Sequence, residues 1–152
     1  MKIKKIHEDK RGKIILIKGI LEGEKEFTFM EIKKGFARGG CYHLNKEYFI
    51  VIKGKVKYIY GDIGGYYIER VLESGQSGII NPKVAHAFIA LEDSIVSEWG
   101  ITTSEKEDNL KDLKLRKIVD SSNPNEKKKE IKVKQELSDS DINKIKDIIE
   151  HG

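Results

Sequence analysis

From Lys2 to Trp99 the sequence repeats one pattern, in which short apolar segments alternate with glycine-containing breaks. Seven segments are rich in Ile, Val, Phe and Tyr, and several of them alternate apolar with polar residues: KIILIK, EFTFMEI, EYFIVIKGKVKYIY, YYIERVLE, SGIIN, HAFIAL and SIVSEW. Segments this short, with no helical period between them, favour an antiparallel sandwich or barrel. The expected fold class is therefore all-β, with the barrel formed by residues 1–104.

The rest of the chain is more highly charged. Residues 105–137 are expected to form a charged linker or extension, in which EIKVKQEL predicts an edge strand whose lysines discourage further pairing. Residues 138–152 predict a short C-terminal helix that Ser138 or Ser140 caps. Four isoleucines form its apolar face: Ile142, Ile145, Ile148 and Ile149. We expect this face to pack on the barrel or on a partner subunit.

Composition limits the classes of function. No apolar run approaches the roughly 18 residues that a membrane span needs, so no membrane partner is expected. The N-terminus lacks a signal-type apolar segment and the chain has a single cysteine, which together predict a cytoplasmic protein without an internal disulfide. Residues 1–104 hold 17 Lys and Arg against 13 Asp and Glu, so this part favours an anionic small molecule. The lysines form no arginine-rich or aromatic-interleaved stripe, and nucleic acid is not expected as a partner.

The stretch RGGCYHLNKEYFIVIKG combines the only cysteine with a histidine and a glutamate, just before an apolar strand. Residues two apart on a strand point to the same face. A regular strand here would therefore align Cys41, His43 and Asn45, and Glu47 has the matching parity. The glycine pair 39–40 predicts a β-bulge or a close approach of the backbone to a ligand.

This stretch resembles the first motif of the cupin superfamily, which is His-x-His, three or four residues, Glu, six residues and Gly. Cys41 stands in the place of the first histidine and His43 in the place of the second. Glu47 matches the glutamate, and Gly54 follows after six residues. The resemblance implies a cupin-type antiparallel β-barrel, the double-stranded β-helix or jelly roll, and it also suggests a homodimer.

A later stretch, GQSGIINPKVAH, resembles the second cupin motif. It runs from Gly75 to His86, with Asn81 and Lys83 where the family often has Pro and Gly. The histidine that ends this motif adds a second imidazole to the candidate site. His7 and His151 lie near the two termini and receive no role.

Two shorter segments resemble the RmlC-like branch of cupins, the nucleotide-sugar epimerases and ketoisomerases. EDKRG contains Asp9 and Arg11, and ARGGCYH is similar to the Arg-Gly-x-His segment of that branch. The resemblance implies that Arg11 and Arg38 bind the diphosphate of a nucleotide sugar, since the planar guanidinium binds phosphate oxygens in pairs. It also implies that the histidine stretch faces the sugar ring.

The first functional hypothesis is an isomerase or epimerase of a nucleotide-linked keto-sugar in polysaccharide or deoxysugar biosynthesis. His43 would move the proton, with Tyr42 or Tyr48 as a proton donor, and Cys41 occupies the position of the epimerases' base. Other residues would bind the substrate: Arg11, Arg38, Asn45 and His86.

The second hypothesis is a metal-binding cupin, such as a small-molecule dioxygenase or isomerase. His43, Glu47 and His86 would supply two imidazoles and a carboxylate, a set that suits Fe, Mn or Ni and is acceptable for Zn. Cys41 could complete the set as a thiolate, which would favour zinc. The third hypothesis is a non-catalytic module that binds a sugar or another small anion.

Overall fold

The computed structural model describes five parts of the chain: residues 1–19, 26–100, 110–123, 135–136 and 143–148. Ten strands lie in the first two parts: β1 Lys2–Asp9, β2 Gly12–Lys18, β3 Glu26–Ile32, β4 Ala37–Tyr42, β5 Glu47–Lys53, β6 Lys55–Asp62, β7 Tyr67–Glu73, β8 Ser77–Ile80, β9 Val84–Ala90 and β10 Ser94–Gly100. Two short strands and a helix follow: β11 Leu110–Lys111, α1 Leu113–Ser122 and β12 Gln135–Glu136. Residues 143–148 form a second helix, α2.

The strands form two antiparallel sheets. The larger sheet has the order β12-β1-β2-β3-β10-β5-β8 and the smaller has the order β11-β4-β9-β6-β7. Neighbours in a sheet are mostly distant in sequence, as in a jelly roll, where the chain crosses between the two sheets. The prediction of an all-β jelly-roll barrel is confirmed.

The main core lies between the sheets and the helices cover their outer faces. Phe49 and Phe88 are in contact at the centre of the interior cluster, with ring centroids 5.2 Å apart. Helix α1 buries Leu115 and Val119 against the outer face of the smaller sheet. Ile145 of α2 is 3% exposed and packs on the outer face of the larger sheet.

The C-terminal helix therefore packs on the barrel, as one of the two alternatives predicted. Ile148 packs against the same cluster as Ile145. The other predicted helix residues lie outside the described part of the chain: Ser138, Ser140, Ile142 and Ile149. The predicted edge strand is confirmed where the structure describes it, since Gln135–Glu136 pairs with Lys4 and Lys5 of β1.

Helix α1 corrects the sequence analysis, which expected a linker in this region. Asp112 caps the helix by accepting hydrogen bonds from the amides of Lys114 and Leu115, 3.1 and 3.2 Å long. The buried pair Leu115 and Val119 has helical i, i+4 spacing, but charged residues surround it, so its apolar face is narrow. Among the described residues, no helix is long and apolar enough to cross a bilayer.

A β-bulge in β4 decides which of its residues face the barrel interior. Arg38 pairs with Phe88 of β9, whereas Cys41 pairs with His86. Three steps on β4 thus match two steps on β9, and the register shift lies between Gly39 and Cys41. Without the extra residue, Cys41 would point outward, because a shift of one residue exchanges the two faces of a strand.

Candidate functional site

A cavity of about 440 Å³ lies between the two sheets, beside the interior core. Phe88 belongs to the core and also lines the cavity, so the two are adjacent. Nine polar or charged residues line it: His7, Arg11, Arg38, Cys41, His43, His86, Glu98, Lys111 and Arg116. Both sheets and helix α1 contribute to this set.

Cys41 and His86 are cross-strand neighbours on the inner face of the smaller sheet. The Sγ atom of Cys41 lies 3.9 Å from Nε2 of His86. The other ring nitrogen of His86, Nδ1, lies 3.1 Å from the carbonyl oxygen of Val84, which can only accept a hydrogen bond. The proton therefore sits on Nδ1, and Nε2 presents a lone pair toward the sulfur.

Burial keeps the imidazole of His86 neutral. The side chain is 2% exposed, and this loss of solvent lowers the pKa of His86 to about 4. The hydrogen bond to Val84 opposes the shift, while the nearby ring of His43 adds to it. A neutral imidazole is the form that accepts a proton or ligates a metal.

His43 brings the second imidazole to the same place. It follows the end of β4, and its ring centroid lies 5.1 Å from that of His86. Its Nε2 is 3.3 Å from Oε2 of Glu47, the first residue of β5. The three groups that the sequence analysis expected to converge, His43, Glu47 and His86, are thus neighbours.

Glu98 is an additional carboxylate that the sequence analysis did not identify. It lies on β10 and faces the cavity from the larger sheet. Burial raises its pKa to about 7. A ligand atom from each of Glu47, His86 and Glu98 falls within 4.8 Å of the others.

The residues present fit a bound metal ion. Ligand atoms of Cys41, His43 and His86 also lie within 4.8 Å of one another. Zinc bonds to sulfur and nitrogen are about 2.0–2.3 Å long, so the ligands of a tetrahedral site lie roughly 3.5 Å apart. The 3.9 Å separation of Cys41 and His86 is close to that value. A histidine that donates its second N–H to a backbone carbonyl, as His86 does to Val84, is typical of metal ligands.

Arg11 and Arg38 lie in the cavity wall, but their guanidinium groups are engaged in a buried network around Asp9. Arg11 donates from Nη2 and Nε to Oδ2 of Asp9, over 2.6 and 3.0 Å, and from Nη1 to the carbonyl of Ala37. Arg38 donates to the carbonyls of Glu31 and Gly12, and its Nη2 lies 3.5 Å from Oδ1 of Asp9.

Asp9 holds this network together. Burial alone would raise the pKa of Asp9, but hydrogen bonds from Arg11 and His7, with the charge of Arg38, outweigh it and hold the pKa well below its usual range. Nε2 of His7 lies 2.8 Å from Oδ2 of the same carboxylate. The network supports the cavity wall and gives Arg11 and Arg38 a structural task that the sequence analysis did not foresee.

Glu47 neighbours His43 but does not line the cavity, and three further predicted site residues are not brought there. Asn45 lies in the turn between β4 and β5 and is exposed, because β4 ends at Tyr42 and the regular strand does not continue. Tyr42 follows Cys41 and so points to the opposite face of β4. Tyr48 stacks on Trp99, with centroids 5.9 Å apart, away from the cavity.

Four cavity residues were missed: His7, Glu98, Lys111 and Arg116. His7 lies on β1, which is not among the seven predicted segments, and Glu98 lies in the predicted segment SIVSEW, which carries no chemical motif. Lys111 and Arg116 come from β11 and α1, a region expected to be a linker. The sequence carried one usable signal there, the cap residue Asp112 before the spaced pair Leu115 and Val119.

No family model matches this sequence, and no curated protein matches it. Solved structures do match. CapF from Staphylococcus aureus, a capsular polysaccharide assembling protein, is 20% identical with a TM-score of 0.60, and the match covers 70% of this chain and 32% of that one. A tryptophan-to-tyrosine variant of oxalate decarboxylase from Bacillus subtilis is 14% identical with a TM-score of 0.62, covering 93% of this chain and 44% of that one. The formate complex of oxalate decarboxylase from Lactobacillus farciminis is 21% identical with a TM-score of 0.55. The match covers 64% of this chain and 30% of that one.

This chain spans between about a third and less than half of the length of those proteins. At identities this low the likeness concerns the fold alone. The two antiparallel sheets, the strand order and these matches agree with the resemblance found in the sequence. The chain has the cupin fold.

Proposed function

We propose that the protein is a metal-dependent cupin, in which Cys41, His43 and His86 hold a divalent transition metal inside the barrel. The observation that carries the proposal is the contact of Cys41 Sγ with His86 Nε2 at 3.9 Å, together with the bond that fixes the His86 tautomer. A thiolate with two imidazoles favours zinc over harder cations.

Each residue around this group has a distinct task. Glu47, 3.3 Å from Nε2 of His43, orients that imidazole and adds a carboxylate to the site. Glu98 faces the same space from β10 of the larger sheet, and in the metal-free protein it can hold or release a proton near neutral pH, because burial raises its pKa to about 7. When bound, a divalent metal would act as a Lewis acid and polarise an oxygen atom of the small-molecule substrate.

Metal content tests the proposal. Protein purified without chelator is measured by inductively coupled plasma mass spectrometry, beside His86→Ala and a control, His7→Gln, which removes another histidine from the same cavity. We expect about one equivalent of metal in the wild type and in the control, and at least about tenfold less in His86→Ala. Metal below about a tenth of an equivalent in the wild type, with no zinc uptake on titration, would contradict the proposal.

A second candidate function is the isomerisation of a nucleotide-linked keto-sugar. It is favoured by Glu98, because a base for proton abstraction beside a ketone works best when its pKa is near the working pH. His43 lies in the same cavity and would be the other proton-transfer group. The test is incubation with 4-keto nucleotide sugars in deuterated water. Deuterium incorporation that Glu98→Gln abolishes would support this function, and no incorporation with several nucleotides would remove it.

A further inference from the structure

Lys111 and Arg116 are two cavity cations that come from outside the ten-stranded barrel, on β11 and α1. Lys111 pairs with Cys41, and Cys41 pairs with His86. The three residues therefore form one row across β11, β4 and β9, with their side chains on the same inner face. This row places Lys111 on the same wall of the cavity as the candidate metal ligands.

Arg116 reaches the cavity past the glycine bulge. A β-carbon on Gly40 would lie 3.0 Å from the Arg116 α-carbon, so the absence of a side chain there allows α1 to approach β4. Nη1 of Arg116 donates to the carbonyl of Gly39 over 2.9 Å. This bond directs the guanidinium toward the rim of the cavity and uses one of its five N–H donors.

The two pairs of cavity cations differ in how far their charges are already compensated. Arg11 and Arg38 donate to Asp9 and to backbone carbonyls, and their side chains are 11% and 5% exposed. The Arg116 side chain is 28% exposed, and its acidic neighbour Asp120 is 3.8 Å away and 46% exposed. Among the residues that the structure describes, none forms an ion pair with the Lys111 ammonium.

We propose that Lys111 and Arg116 are the anion-recognition pair of this cavity and bind a carboxylate or phosphate group of the small-molecule ligand. The inference rests on the proposed function for the location of the site, but it does not require the metal. A lysine supplies a point charge and an arginine a planar fork, and both bind the oxygens of such anions. Arg11 and Arg38 then shape the wall and have a minor part in binding the anionic group.

Isothermal titration calorimetry on the metal-free protein tests this. The ligands are pyrophosphate, succinate and uncharged succinamide. The variant Lys111→Gln/Arg116→Gln is compared with Lys114→Gln/Lys117→Gln, which removes the same charge from residues of helix α1 that lie outside the cavity lining. We expect at least one dianion to bind and succinamide not to bind. In the first variant the affinity for the dianion should fall by about tenfold or more, and in the control variant by about twofold or less.

The preferred dianion identifies the ligand chemistry: preference for pyrophosphate indicates a phosphate group, and preference for succinate a carboxylate. Equal weakening in both double variants, or no dianion binding to the wild type, would overturn the proposal. If the double variant does not fold, Lys111→Gln alone, a change at an exposed residue, is expected to weaken binding about threefold or more, and unchanged binding would count against the pair. The two proposals fail separately, because Lys111→Gln/Arg116→Gln should still bind zinc and metal-free His86→Ala should still bind the dianion.

Discussion

Cys41 and His86 face each other across β4 and β9, with Sγ and Nε2 3.9 Å apart. This relationship depends on the β-bulge at Gly39, which turns Cys41 inward after Arg38. Gly39 has a φ of 109°, and a β-carbon there would lie 2.8 Å from both the α-carbon of Ala87 and the carbonyl oxygen of His86. The bulge thus places Cys41 opposite His86 on the inner face.

Gly39→Ala is expected to lower the free energy of unfolding by about 3 kcal/mol, because it combines a strained φ with overpacking against β9. Gly75→Ala is the control, since Gly75 has a φ of 88° but no atom within 4 Å of the added carbon. It should cost about 1 kcal/mol. Urea denaturation measures both, and an equal loss in the two variants would show that β9 does not constrain Gly39.

Asp9→Asn is expected to destabilise the protein by about 3 kcal/mol, because it leaves the buried guanidinium groups of Arg11 and Arg38 without their shared carboxylate. Glu8→Gln is the matched control. Glu8 pairs with Lys5 at 2.7 Å, but its side chain is 41% exposed, so the change should stay within about 1 kcal/mol. If Asp9→Asn unfolds at the same urea concentration as Glu8→Gln, the network around Asp9 is not a stabilising element.

Glu98 predicts a pH dependence of stability in the metal-free protein. Its pKa is raised from 4.5 to about 7 in the folded state, so the folded state holds a proton that the unfolded state loses. The stabilisation that protonated Glu98 contributes is complete below about pH 4.5 and is lost as the pH rises through about 7. The lowered pKa of His86 gives a slope of the opposite sign between about pH 4 and 6.5, so the wild type is compared with Glu98→Gln, in which the His86 contribution is shared. Between pH 4.5 and 7 the melting temperature of the wild type should fall relative to that of Glu98→Gln, and identical slopes in the two proteins would contradict the assignment.

Lys83→Gly is expected to stabilise the protein. Lys83 has a φ of 65°, a left-handed conformation that costs a lysine about 1 kcal/mol and a glycine almost nothing. Its side chain is exposed, while its amide donates to the carbonyl of His43 over 2.7 Å, a bond that glycine retains. The expected gain is about 2–4 °C in melting temperature. Lys83→Ala, which keeps the strain, should show no such gain.

The sequence predicted the fold well because alternation and glycine breaks report directly on strands. The two motif stretches also predicted that His43, Glu47 and His86 would meet, although the first and last are 43 positions apart. Asn45 and Tyr42 were misplaced because periodicity alone does not reveal that β4 bulges and then ends at Tyr42. The positions of Lys111 and Arg116 depend on β11 pairing with β4 and on α1 packing against it, and these long-range contacts are not encoded in the local sequence.

Cobalt substitution tests the central claim most directly, because Co²⁺ replaces zinc in such sites and its absorption reports its ligands. Metal-free protein is titrated with Co²⁺ beside Cys41→Ser and His86→Ala. The wild type should develop a thiolate-to-cobalt charge-transfer band that saturates at about one equivalent. This band should be absent in Cys41→Ser and strongly weakened in His86→Ala. A wild-type spectrum that matches Cys41→Ser, or that shows only octahedral aqueous cobalt, would contradict a metal held by Cys41, His43 and His86.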